Sequence, residues 1–354
     1  MPHALLRRAF AAIAALLILI VSPVRAQEEV RALWVVRTTL ASPSAISTMV
    51  AAAKHGGFNT LLVQVRGRGD AYFQQGIEPR PELLAAQPAF DPLATVIAKG
   101  HEAGLQVHAW INVNLIAGAA DLPAARDHIA YRHPEWLMVP RALAVELSTV
   151  DPRSPGYVGR LARYARAQSA EIKGLYLSPV TAESTAYTTS VVRDLAQRYD
   201  IDGVHLDYLR YPSSDFDYSR ETLVAFGSSI VPDLSVSDVR RYDAEAAAGD
   251  PLIYSQAFPE RWRGFRVAPL TALLTSLRAV VKTVRPAARP VAGAHPLWVG
   301  IGAFRLSSEQ IMDNVQTARR LNVGGIILFS YDSVAESKNG PGYVAQVGRT
   351  AFQF

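Results

Sequence analysis

Residues 203–212 read GVHLDYLRYP, a tract that crowds an aspartate, a histidine, two tyrosines and an arginine into one short run. These residue types can do sugar chemistry. A carboxylate serves as acid, base or nucleophile in glycoside cleavage, which typically engages two carboxyl groups. Aromatic rings offer flat faces to sugars, while arginine, asparagine, glutamine and histidine hydrogen-bond hydroxyl groups. Side chains in a strand alternate between faces, so Gly203, His205 and Asp207 share one side. The same alternation aligns Gln64 with Arg66 in VQVRGRGD, with Asp70 in the loop beyond, and groups His108, Trp110 and Asn112 in VHAWIN. Arg37 ends the run ALWVVR, and FSYDS presents Ser330 and Asp332 opposite Tyr331.

The candidate catalytic residues are therefore Asp207, Asp70 and Asp332. Candidate substrate contacts are Arg37, Gln64, Arg66, His108, Trp110, Asn112, His205, Tyr208, Arg210 and Tyr331. Asp207 alone combines the densest tract, the inward face and the end of a strand. Its partner is open among Asp70, Glu183 and Asp332. Each residue also has a structural reading. An aspartate ending a strand can cap a loop, histidines inside apolar strands are commonly hydrogen-bonded core groups, and Arg37 or Arg66 can pair with Asp70 or Asp207. Asp202, at the other end of its strand, reads as a turn or cap. No HxH, HExxH or GxSxG pattern occurs, so the reading holds no metal, no cofactor and no serine nucleophile.

Short apolar strands that end in polar residues alternate with helical segments. Strands are predicted at 30–38, 58–70, 105–112, 201–212, 297–304 and 324–333. Helices are predicted over 44–57, over 90–104 with Asp91 as N-cap and Pro92 following, over about 184–198, and after a Ser307…Gln310 capping box. Repeated strand–helix units imply an α/β fold with a parallel sheet, open or closed into a barrel. In a barrel of this kind the C-terminal strand ends build the active site, which accounts for the polar residues gathered there. Residues 212–265 form a long insertion on that face, and one barrel domain covers 27–354.

Residues 1–26 have the anatomy of a signal peptide: basic Arg7-Arg8, an apolar stretch at 9–21 and Val24-Arg25-Ala26 before the cleavage point. This predicts a periplasmic or secreted protein that meets the membrane only in transit, and the absence of cysteine excludes a lipoprotein anchor. No later segment reads as transmembrane. Without Arg7, Arg8 and Arg25 the formal charge of +5 falls to near +2, with 33 basic against 31 acidic residues. With no Lys/Arg block either, nucleic acid is not an expected partner.

Seven stretches, ALWVVRTTL, VQVRGRGDAYF, VHAWINV, GLYLSP, RYDIDGVHLDYLRYP, VGIGAFRLS and GGIILFSYDS, together resemble glycosyl hydrolase-like family 10. These are bacterial TIM-barrel proteins related to glycosidases, some of which act on peptidoglycan. The resemblance runs from about residue 30 to about 335 and places Asp207 at the second aspartate of its most specific motif. It implies carboxylate-dependent cleavage of a cell-envelope or extracellular polysaccharide. One departure matters: family members carry two more strands where this chain has only AARPVAGAH between Pro286 and Pro296. A strand and crossover helix take at least about a dozen residues. The expectation is a distorted TIM-type barrel with about six of its eight strands. A sugar-binding protein without catalysis, or a poorly folding copy of a family member, is the alternative that this shortening raises.

Overall fold

The structure is a computed structural model and describes residues 29–286, 289–290, 297–335 and 342–352. The proposed signal peptide lies outside these residues. Six parallel strands carry the fold: β1 (Val30–Val35), β2 (Thr60–Arg66), β3 (Gln106–Asn112), β6 (Gly203–Asp207), β8 (Trp298–Gly302) and β9 (Gly325–Phe329). A two-residue strand, β7 (Arg289–Pro290), pairs with the start of β6. The order across the sheet is β7-β6-β3-β2-β1-β9-β8. The first and last full units of the chain are thus neighbours, as in a barrel.

The sheet is curled. His108 on β3 and Trp298 on β8 are four strands apart, or about 19 Å in a flat sheet at about 4.8 Å per strand. Their ring centroids lie 5.7 Å apart. Trp34 on β1 likewise meets His205 on β6, three strands away, at 5.5 Å. The ring remains open at one place. Among the described residues no ladder joins β7 to β8, and the chain expected to carry the missing strands lies largely at 287–288 and 291–296, outside the description. The result is an α/β half-barrel, as the shortened linker predicts.

Alternation sorts each strand into two faces. Leu33, Val35, Leu61, Val63, Val65, Val107, Ala109, Ile111, Ile326 and Leu328 point outward into the main core, under the helices. These include α1 (Pro43–His55), α2 (Pro92–Glu102), α4 (Ala182–Arg198), α7 (Pro259–Val284) and α8 (Ser308–Arg320). Local signals set the helix starts. The Asp91 carboxylate accepts the amide of Ala94 at 3.0 Å, and the Ser307–Gln310 capping box is complete. By length and composition α7 could cross a membrane, contrary to the reading that no later segment does. Here it is a wall of the half-barrel, with Leu273, Leu277 and Val281 in the core.

Two excursions rise from the C-terminal ends of the strands. The one after β3 holds the antiparallel pair β4 (Leu115–Gly118) and β5 (Gly174–Tyr176) and the helix α3 (Tyr157–Ala167). The one after β6 holds α5 (Arg220–Ile230) and α6 (Val236–Ala247). Asp217 fastens them together. Its buried carboxylate accepts the amides of Val139 at 2.9 Å and Ser219 at 2.8 Å, and the Thr222 hydroxyl at 2.8 Å. Burial still pushes this carboxyl above the usual carboxylate range.

Arg66 ties the mouth together. At 1% exposure it donates to Glu78 twice, at 2.7 and 2.6 Å, and to the carbonyls of Asn112 and Val113 at the end of β3. The Tyr187 hydroxyl of α4 adds a bond to Glu78 at 3.2 Å. Burial opposes the guanidinium charge, but Glu78 outweighs it and the net pKa shift is upward. Removing one partner of such a pair leaves an uncompensated buried charge and costs about 3–5 kcal/mol. Glu78→Gln should lower stability by that amount in urea denaturation. Glu146→Gln, which breaks an exposed pair with Arg160, should cost less than about 1 kcal/mol. Equal losses in the two variants would show that the buried pair has no special weight.

Candidate active site

The parallel register sets Trp110 beside His205 and Asn112 beside Asp207. Asp207 is half-buried at the end of β6, and both its oxygens are held. Oδ2 accepts from Trp110 Nε1 at 3.2 Å, and Oδ1 accepts from the amide of Tyr208 at 2.6 Å. Tyr208 has φ +51°, a left-handed conformation that a tyrosine adopts only under constraint. That turn brings its amide back onto the carboxylate. The Trp110 indole also donates to Asn112 Oδ1 at 3.1 Å, and Asn112 Nδ2 donates to the Gly67 carbonyl at 2.9 Å. The aspartate is therefore positioned through two strands and the loop after β2, while each oxygen keeps a lone pair for another donor.

Below Asp207 lies an aromatic floor. Trp34 packs against Trp110 at 6.2 Å and Phe329 at 5.3 Å, with His205 between Trp34 and Trp110. Burial lowers the pKa of His205, with Asp207 pulling the other way. Two polar atoms of this floor, Trp34 Nε1 and His205 Nδ1, are buried and have no hydrogen-bond partner among the described residues. Such orphaned groups cost about 1–3 kcal/mol each unless something supplies the bond. Tyr208 borders the site from the rim, 6.1 Å from Tyr176, with Arg210 stacked over it at 5.0 Å.

The adjoining cleft, about 790 Å³, is cationic on one side. Arg37 and Arg68 line it with Asp70 and His128. Arg37 donates to Gln64 Oε1 at 3.0 Å. Burial, and then the like charge of Arg37, lowers the pKa of Arg68, whose charge also feels Tyr208, Asp70 and Tyr176. Gly67 joins the cleft to the Asp207 side of the mouth, since its carbonyl accepts Asn112 Nδ2 and its amide donates to Asp70 Oδ1. Asp70 Oδ1 accepts the amides of Gly67 at 3.1 Å and Arg68 at 2.8 Å, and Oδ2 takes no bond among the described residues.

Several sequence-predicted residues are engaged elsewhere. Strand β9 ends at Phe329, and Tyr331–Ala335 is a helical turn, so the alternation read through FSYDS stops short. Tyr331 packs in the outer core. Asp332 accepts from the amide of Val36 at 2.6 Å and from Thr38 and Thr39, an anchor for the end of β1 rather than a free carboxylate. Arg66 has its donors committed to Glu78 and β3, and His108 is fully buried against Trp298. Asp202 caps the other end, accepting from the Val107 amide and meeting His101, both at 2.8 Å. Glu183 is exposed on α4. Sequence reasoning missed Trp34, Arg68 and Glu78. Trp34 sits two alternating steps from Val30 on the inward face, a signal that could have found it; Glu78, in an irregular loop, has no periodicity to betray it.

A family model described as Glycosyl hydrolase-like 10 matches residues 29–317. The chain is 27% identical over 162 residues to glycosyl hydrolase YngK of Bacillus subtilis, covering 44% of this chain and 26% of that one. It is 26% identical over 206 residues to glycosyl hydrolase DigH of Escherichia coli K12, covering 53% and 39%. The matches span less than half of either relative. Among solved structures, α-L-fucosidase isoenzyme 2 of Paenibacillus thiaminolyticus is similar with a TM-score of 0.53 at 12% identity, covering 91% of this chain and 48% of that one. The catalytic domain of β-amylase from Paenibacillus polymyxa gives 0.52 at 11%, covering 93% and 98%. At those identities the likeness shows the barrel fold alone. The family model covers most of the chain, and this chain belongs to the Glycosyl hydrolase-like 10 family.

Proposed function

We propose that this protein is an exported glycoside hydrolase acting on a cell-envelope polysaccharide, peptidoglycan glycan strands being the first candidate. The observation that carries the reading is Asp207, held between the Trp110 indole and the Tyr208 amide above an aromatic floor. A sugar ring can lie against that floor, where the rings of Trp34 and His205 are only half-buried. It would also present its glycosidic oxygen or anomeric carbon to the carboxylate. Two donors hold the Asp207 carboxylate in one orientation at the end of β6, a fixed position that suits a base or nucleophile. Asp70 is the better placed of the candidate second carboxylates. It lines the cleft and keeps one oxygen unbonded, whereas Asp332 is consumed at β1.

The open side of the half-barrel favours a second reading, a glycan-binding protein without turnover, because the missing strands would wall the cleft. Purified mature chain incubated with peptidoglycan, with product analysis by mass spectrometry and parallel pull-down of the strands, separates the two. Fragments support the hydrolase; retention without fragments supports binding alone.

Three outcomes follow for the hydrolase. Asp207→Asn should cut kcat by about 10²–10⁴-fold, the usual worth of acid–base help, with binding and melting temperature largely kept. Wild-type turnover in that variant would remove Asp207 from catalysis. Trp110→Phe keeps the ring but loses the bond to the carboxylate. A hydrogen bond to a charged group is worth about 1.5–3 kcal/mol, so kcat should fall by roughly ten- to a hundredfold. Kinetics of the two variants side by side give the order of the effects. Export predicts cleavage after Ala26, leaving Gln27 first; N-terminal sequencing of the protein from the periplasm or medium that finds Met1 would reject it.

A further inference from the structure

Three arginines whose guanidinium groups have no carboxylate partner among the described residues share one cavity. Arg126, Arg132 and Arg153 line a space of about 560 Å³ with no aspartate or glutamate in its wall. Among the described residues none of their guanidinium groups makes an ion pair or a hydrogen bond to a carboxylate. Arg126 is steadied instead by stacking on Tyr131 at 5.1 Å. The opposite wall is the start of α3. Its cap is Gly156, with no side chain to accept a bond, and its first turn holds no acidic residue. The amides of Val158 and Gly159 have no acceptor among the described residues, and the space above Gly159 is open for 4 Å. Like charges gathered around a concavity repel one another and raise the local concentration of anions. Leu122 lines both this cavity and the cleft that holds Arg37 and Asp70, so the two adjoin.

We propose that this pocket is a second binding site that takes a carboxylate carried by the glycan, making the protein selective for anionic strands. The proposal rests on the glycan reading above. It concerns residues away from Asp207 and assigns them to affinity, not to bond cleavage. A carboxylate matches the planar fork of an arginine, and two or three such forks clamp it with charge-assisted bonds. The carboxylate can belong to an acidic sugar or to a peptide attached to it. Both present the same group, and the experiment below tells them apart.

The test is binding by the full mature chain to three ligands: denuded glycan strands with free sugar carboxylates, the same strands with those groups amidated, and strands that retain their peptides. Wild type is compared with R126Q/R132Q/R153Q and with the single variant R153E, each at about 50 mM and about 300 mM salt. The triple variant should bind carboxylated strands about ten- to a hundredfold more weakly at low salt, with the gap narrowing at high salt. Amidated strands should bind wild type and variants alike. All three arginines are exposed, so unchanged thermal melts are expected and serve as the control for folding. Tighter binding of peptide-bearing strands assigns the carboxylate to the peptide, and tighter binding of denuded strands assigns it to the sugar. Undiminished affinity of both variants for carboxylated strands would overturn the site. If wild type binds no strand, the glycan reading fails and inorganic tripolyphosphate decides the pocket. Binding that the triple variant loses keeps an anion site, and no binding by wild type rejects it.

Discussion

A buried arginine holds the mouth of this half-barrel in shape. Arg66 lies at the end of β2, but its guanidinium serves three other segments: the loop at Glu78, the last carbonyls of β3 and, through Glu78, the Tyr187 hydroxyl of α4. The first two are a loop and a strand end, and the third ties a helix on the other side of the mouth to both. The β2–β3 ladder shifts between Gln64 and Arg66, so Arg66 reaches over the end of β3 instead of lying along it. The Gly67 carbonyl, one residue on, receives Asn112, and Asn112 receives the Trp110 indole. The catalytic candidate Asp207 is the last link of this chain of bonds. A stability element and a site element are therefore continuous, although only the second faces the cleft.

The open side of the barrel governs what the interior can be. In a closed barrel the inward residues of all strands fill the centre as a packed core. Here the inward face is apolar at the bottom, with Val30, Ala32, Leu62 and Ile327, and aromatic above, with Trp34, Trp110, His205 and Phe329. Fewer strands leave Trp34 and His205 only half-buried, and Trp34 Nε1 and His205 Nδ1 have no hydrogen-bond partner among the described residues. The same opening leaves this aromatic face at the edge of the gap between β7 and β8. The two excursions then raise walls above the strand ends, joined by Asp217, and carry the cationic pocket at α3 beside the cleft.

Much of this organisation is readable from residue order. Period-two alternation marks six strands and places Trp110, Asn112, His205 and Asp207 on one face, where the β3–β6 register brings them together. The Asp91 and Ser307 caps were equally legible, because a cap is a local hydrogen bond within four residues. The short linker before Pro296 implied a gap through chain length alone. Tyr331 and Asp332 lie elsewhere because the alternation stops where the strand stops, and strand ends are set by which neighbour still offers backbone partners.

The α/β unit and the inward face of the strands follow from short-range periodicity and the reach of the chain, and both are legible in the residue order. Tertiary structure alone decided which polar residues are free. Arg66 and Arg37 look alike in sequence, yet one is sealed against Glu78 and the other opens onto the cleft. Asp70 and Asp332 both follow strands, yet one keeps an unbonded oxygen while the other anchors β1. The difference lies in partners tens to hundreds of residues away, and no local pattern encodes whether a buried charge will find its counter-ion or be left for a ligand.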